Sequence, residues 1–211
     1  MAPYDRFQTI GWNIKAIAAL VVIFLSWLYL PLGVIGFIGF LYLCLLLHMP
    51  DRRMPDKASG VTLSPIDGRI TSLSCHENHV IIDMMAHMTS SQIIFAPQSG
   101  VIDDKLWIDG AYINSDTTHF EMLAARQEWL ITTDDGDQIG LIQYTSPQTR
   151  YVTGALTVGQ KITIAEPFAL GILRSHIRLR LPKDYQLEVY KGQSIIAGET
   201  IIARANHTAS S

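Results

Sequence analysis

The chain has 211 residues, 48% of them apolar and 17% charged, with a formal net charge of −3. That balance offers no electrostatic basis for a nucleic-acid partner. The two cysteines, Cys44 and Cys75, lie in unlike settings, and the seven histidines are scattered, so neither a disulfide framework nor a metal site is expected.

From Ala16 to Leu47 no side chain is charged. As one helix this run would be about 48 Å long, against a hydrocarbon core of about 30 Å. Pro31, Leu32 and Gly33 interrupt it near the middle. Residues 1–48 therefore read as a membrane anchor, either a transmembrane helical hairpin or one kinked span. Arg6 and Lys15 before the run, and Arg52, Arg53 and Lys57 after it, favour a hairpin with both ends cytosolic. The alternative is a pair of helices buried in the fold. A cleaved signal peptide fits poorly, because the run is too long and no small-residue cleavage site precedes the polar part. The expected location is the inner (cytoplasmic) membrane, with the polar part in the cytosol.

Residues 49–59 carry Pro50, Pro55 and several charges, and read as a linker. Residues 60–211 form one further domain, which reads as β-structure. Apolar stretches recur between turn signals at Val80–Met84, Gln92–Phe95, Gly100–Ile102, Trp129–Thr132, Gln138–Gln143, Tyr151–Val152, Lys161–Ile164, Ile177–Leu181, Leu187–Tyr190 and Thr200–Ala203. Ile177-Arg178-Leu179-Arg180-Leu181 alternates as a half-buried strand does. One helix is expected, near His119–Arg126. Gly192 and Gly198 bracket an apolar pair, a pattern found in barrel-sandwich-hybrid domains. The fold class is mainly β: a helical anchor followed by an all-β, barrel-sandwich-hybrid-like domain.

The motifs Ser64-Pro65-Ile66-Asp67-Gly68, Ala96-Pro97-Gln98-Ser99-Gly100 and Gly198-Glu199-Thr200 follow in an order that resembles the phosphatidylserine decarboxylase proenzymes over nearly the whole chain. Ser64-Pro65-Ile66-Asp67-Gly68-Arg69-Ile70 is similar to the family's Ser-Pro-x-Asp-Gly-x-Val. Ala96-Pro97-Gln98-Ser99-Gly100-Val101 is similar to its Ala-Pro-x-Ser-Gly-x-Val, and Gly198–Ala203 to its C-terminal ending. The resemblance implies a chain that cuts itself before a serine. That serine becomes a pyruvoyl group, whose ketone captures the amine of phosphatidylserine and accepts the electrons left by carbon dioxide. Counted back from Leu181-Pro182, Ser175 takes the position of the self-cleaving serine and hence of the pyruvoyl group. Asp67 takes that of the activating aspartate. A membrane phospholipid is the implied substrate.

Other positions depart from the family pattern. Arg174 replaces the glycine before the serine, His176 the following arginine, and Arg178 the next aspartate. Gln92 stands at the family's histidine and cannot act as a base, and Phe95 stands at an arginine. His87, His119 and His176 are the remaining candidate bases. Asp67-Gly68 also reads as a hairpin turn pair, and Ser175 as a polar strand start. These departures predict poor self-cleavage. They keep open a non-catalytic relative that binds phospholipid or regulates a partner decarboxylase or a second copy, and more remotely a tethered adaptor.

Overall fold

In a computed structural model, the described residues are 3–46, 60–87, 93–147, 156–170 and 175–206. The N-terminal part forms helices α1 (Pro3–Leu28) and α2 (Leu30–Leu46). Strands β1 (Val61–Leu63), β2 (Gly68–Cys75), β3 (His79–Ala86), β4 (Ile93–Phe95) and β5 (Gly100–Ile108) follow. After them come the single-turn helix α3 (Phe120–Leu123), β6 (Arg126–Thr133), β7 (Gln138–Tyr144), β8 (Lys161–Ile162) and β9 (Pro167–Leu170). The last strands are β10 (His176–Pro182), β11 (Tyr185–Leu187), β12 (Ser194–Ile195) and β13 (Ile201–Ala205).

The expected membrane span is not borne out. Among the described residues no helix is long and apolar enough to cross a membrane. The apolar run is divided at Tyr29, whose carbonyl accepts the Leu32 and Gly33 amides at 3.0 and 3.2 Å. The longest uncharged stretch of α1 is Ala16–Leu28. The 17 residues of α2 make a helix of about 25 Å, short of a hydrocarbon core. The break also lies earlier than the sequence suggests. Pro31 sits in the first turn of α2, where its missing N–H costs nothing. The two helices fold back on each other. A Cβ on Gly33 would lie 2.2 Å from Ser26 Oγ, and one on Gly36 would lie 3.4 Å from Leu25.

The mainly-β expectation holds for the rest. Eight strands form one antiparallel sheet in the order β12-β2-β3-β10-β7-β6-β5-β8, beside a three-stranded sheet β1-β13-β11 and the pair β4-β9. Period-2 patterning decides which face is inside. Ile177, Leu179 and Leu181 of β10 are buried with Ile82 and Met84 of β3 and Leu141 and Ile139 of β7. Each such fully buried aliphatic side chain stabilises the fold by about 1.5–3 kcal/mol. Trp129 and Phe168 meet edge to face at 5.0 Å in the same core. The strand expected at Leu187–Tyr190 lies earlier, at Tyr185–Leu187. The expected helix is only the four residues of α3, entered through His119 in a left-handed conformation (φ 61°). The linker region 49–59 and the expected strand at 151–152 lie outside the described residues.

Candidate active site

Strand pairing sets Ser175 beside Ala86, and Ala86 beside Gly68. Gly68 pairs with Ala86 across β2 and β3. The Ala86 amide donates to the Ser175 carbonyl at 3.0 Å, one residue before His176 pairs with Met85. Gly68, Ala86 and Ser175 thus form a row across one end of the large sheet, roughly 10 Å from first to last. A glycine is required in that row, since a Cβ on Gly68 would lie 2.1 Å from the Met85 carbonyl oxygen. Asp67 precedes Gly68 and its carbonyl accepts the His87 amide at 3.2 Å. The two sequence candidates, Asp67 and Ser175, therefore reach the same end of the sheet.

No hydrogen bond joins Asp67 to the Ser175 hydroxyl among the described residues. Asp67 Oδ1 accepts the Ala197 amide at 2.8 Å. Asp67-Gly68 is not a hairpin turn, because it opens β2 while the β2–β3 turn lies beyond Cys75. Ser175 is 2% exposed, and its Oγ has no hydrogen-bond partner among the described residues. An orphaned buried hydroxyl costs about 1–3 kcal/mol, so its retention points to a use other than stability.

None of the three candidate histidines stands at the Ser175 hydroxyl. His87 and His119 are exposed. His176 follows Ser175 in the chain, and strand alternation turns its ring to the opposite face of the sheet. Gln92 and Arg174 lie outside the described residues.

That opposite face holds a charged cluster which sequence patterning does not indicate. Arg178 is 8% exposed although its neighbours in the alternation suggest a solvent-facing position. Its Nε donates to Asp83 Oδ1 at 2.7 Å and its Nη2 to Asp83 Oδ2 at 3.1 Å. Its Nη1 donates to Glu121 Oε2 at 2.6 Å, and Nη2 also pairs with Glu121 Oε1. Ser72 Oγ donates to Asp83 Oδ2 at 2.7 Å, and His176 Nε2 lies 3.4 Å from Asp83 Oδ1. Burial pushes the Asp83 carboxyl up, but the His176, Arg178 and Ser72 contacts outweigh it and hold it well below the carboxylate range. The hydrogen bonds from Arg178 lower Glu121 as well. Burial of the Arg178 guanidinium is outweighed by Glu121 and Asp83, which keep it charged.

The His176 ring lies parallel to Phe120 at 5.3 Å and tilted against Tyr144 at 5.2 Å. With Asn114, Ser115, Asp116, Thr145 and Ser146 these rings line a cleft of about 190 Å³ next to the Ser175 peptide. The signal for this cluster is present in the sequence. Asp83 is the one charge in Val80–Met85, and an arginine at 178 in place of the family's aspartate requires a new acidic partner. Among the described residues no group of side chains suits a metal ion.

No family model matches the chain. Curated relatives do. A phosphatidylserine decarboxylase proenzyme of Nitrobacter winogradskyi is 28% identical over 200 residues, covering 90% of this chain and 81% of the relative. Proteins of the same name from Erythrobacter litoralis and Beijerinckia indica are 25% and 27% identical, over 90% and 89% of this chain and 83% of each relative. Each likeness extends over about nine-tenths of this chain, and the chain is thus similar over nearly its whole length to phosphatidylserine decarboxylase proenzymes.

Proposed function

We propose that the protein is a carboxy-lyase of phospholipid metabolism that converts phosphatidylserine to phosphatidylethanolamine through a pyruvoyl group made from its own Ser175. The observation that carries this reading is the buried, unpartnered Ser175 hydroxyl immediately before β10, at the same sheet end as Asp67. An orphaned nucleophile of this kind suits acyl transfer once a base reaches it. Its oxygen would attack the carbonyl of residue 174, forming a C–O bond as the C–N bond breaks, with the hydroxyl proton passing through the base to the freed amine. Loss of the Ser175 α-proton to a base as the ester's serine C–O bond breaks would release residue 174 as a carboxylate, and water attack with loss of ammonia would leave a ketone at the new N-terminus. That ketone would bind the substrate amine and accept the electron pair released with carbon dioxide. The Ala86 amide would hold the Ser175 carbonyl throughout, because the bond at 3.0 Å does not involve the cut peptide.

A lipid substrate also supports work at a membrane surface. Leu20, Phe24 and Trp27 of α1 and Leu30, Ile35 and Ile38 of α2 are more than half exposed. Such a face suits shallow insertion among headgroups and acyl chains, which requires no span. Flotation of the full chain with anionic vesicles at high salt tests this reading, and recovery in the lipid-free fraction would refute it.

Intact mass tests the main proposal. Processing leaves a fragment beginning at residue 175 with a blocked N-terminus, which borohydride fixes to an added amine. A second reading rests on Arg174 and Gln92, which disfavour the acyl shift: an uncut relative that binds phospholipid or regulates a partner. Its signature is a single uncut mass with no amine adduct and no carbon dioxide released from phosphatidylserine.

A further inference from the structure

Ser175 cannot orient itself, because its hydroxyl has no hydrogen-bond partner among the described residues and its carbonyl is held only from the β3 side. The next residue is held far more firmly. The His176 side chain is 13% exposed, lies parallel to Phe120 within 4°, and rests against Tyr144. Phe120 belongs to a helix of one turn, too short to be stable alone. The neighbouring Glu121 ties that turn to the sheet through both of its carboxylate oxygens, which pair with Arg178. Arg178 is in turn fixed by Asp83 on β3. The contacts form a closed loop: β3 to Arg178, Arg178 to α3, α3 to the His176 ring, and the ring back to the peptide that follows Ser175.

We infer that His176 is a positioning residue, and that Arg178 and Glu121 serve it by pinning α3 so that Phe120 clamps its ring and fixes the Ser175 peptide against β3. The inference concerns how the nucleophile is placed, and it rests on the proposed use of Ser175. A cluster of this kind is a poor stability device, since desolvating buried ion pairs largely offsets their attraction. It suits a role in fixing one geometry. It also accounts for two departures from the family pattern together. A flat ring at 176 replaces an arginine, and an arginine at 178 replaces an aspartate, with Asp83 and Glu121 supplying the opposite charge.

The test uses two arms on the full-length chain. In a Ser175→Ala background, which cannot cut itself but keeps the carbonyl, amide exchange of Ala86 is followed by NMR. His176→Ala and Glu121→Ala are expected to lower Ala86 protection about tenfold, while Ile82 and Leu141 in the same sheet keep theirs. His176→Phe, which keeps the stacked ring, is expected to restore Ala86 to within about threefold. Unchanged protection in His176→Ala, or an equal loss at all three amides, would overturn the inference. The second arm measures the rate of cutting with Ser175 present. His176→Ala should slow it about tenfold and His176→Phe should recover it. Cutting that is unaffected by His176→Ala also overturns the inference. A parent chain that never cuts refutes the decarboxylase reading alone, and the exchange arm still judges the positioning.

Discussion

Replacing Arg178 by Met removes the cation between Asp83 and Glu121 at nearly constant length. Asp83 has a side chain 9% exposed, so its charge would be left with Ser72 Oγ at 2.7 Å and the longer His176 contact. Breaking a buried pair from one side costs about 3–5 kcal/mol. The remaining contacts to Asp83 offset part of that. The Glu121 half adds little, because that side chain is 55% exposed. The expected loss is about 2–4 kcal/mol, which for a chain of this size lowers the midpoint of thermal unfolding by roughly 5–15 °C. The double variant Arg178→Met/Asp83→Leu should recover most of it, because no charge is then left buried. Urea unfolding followed by tryptophan fluorescence measures both. A loss below about 1 kcal/mol in Arg178→Met, or a double variant worse than the single, would refute the view that the cluster is a desolvated ion pair.

Acid should weaken the protein through the same residues. Asp83 and Glu121 have folded pKa values below their ordinary ones, so their contribution is complete above about pH 5 and is lost as pH falls further. Arg178→Met should flatten that acid limb in unfolding curves taken between about pH 5 and 2. Gly68→Ala sets a methyl against the Met85 carbonyl and should cost about 3 kcal/mol or prevent folding, read from thermal unfolding and soluble yield. Tyr185→Phe removes the hydroxyl that bonds Asp137 at 2.9 Å and meets Gln98, and should cost about 1–2 kcal/mol in urea unfolding. Combining Arg174→Gly with Gln92→His should raise the fraction cut at Ser175 above that of Arg174→Gly alone, as measured by intact mass.

Several features were legible in the residues themselves. The alternation at Ile177–Leu181 and the apolar stretch at Val80–Met84 mark β10 and β3, because a two-sided strand writes its faces into successive residues. The order of short motifs carries the resemblance to the decarboxylase proenzymes, and with it the candidates Asp67 and Ser175. The apolar run at the N-terminus was equally visible, but its meaning was not. Length and hydropathy describe a segment without saying where it turns. The chain reverses at Tyr29, and among the described residues neither helix is long and apolar enough to span. Tertiary structure also decided the surroundings of Ser175. That Ala86 stands between Gly68 and Ser175 depends on a sheet order, β2-β3-β10, that joins residues over a hundred positions apart. Arg178 followed the pattern of an exposed position. It became buried because α3, a single turn, lies over the outer face and brings Glu121 to it. Local patterning records which side of a strand a residue occupies. Only the packing of distant segments determines whether that side meets water.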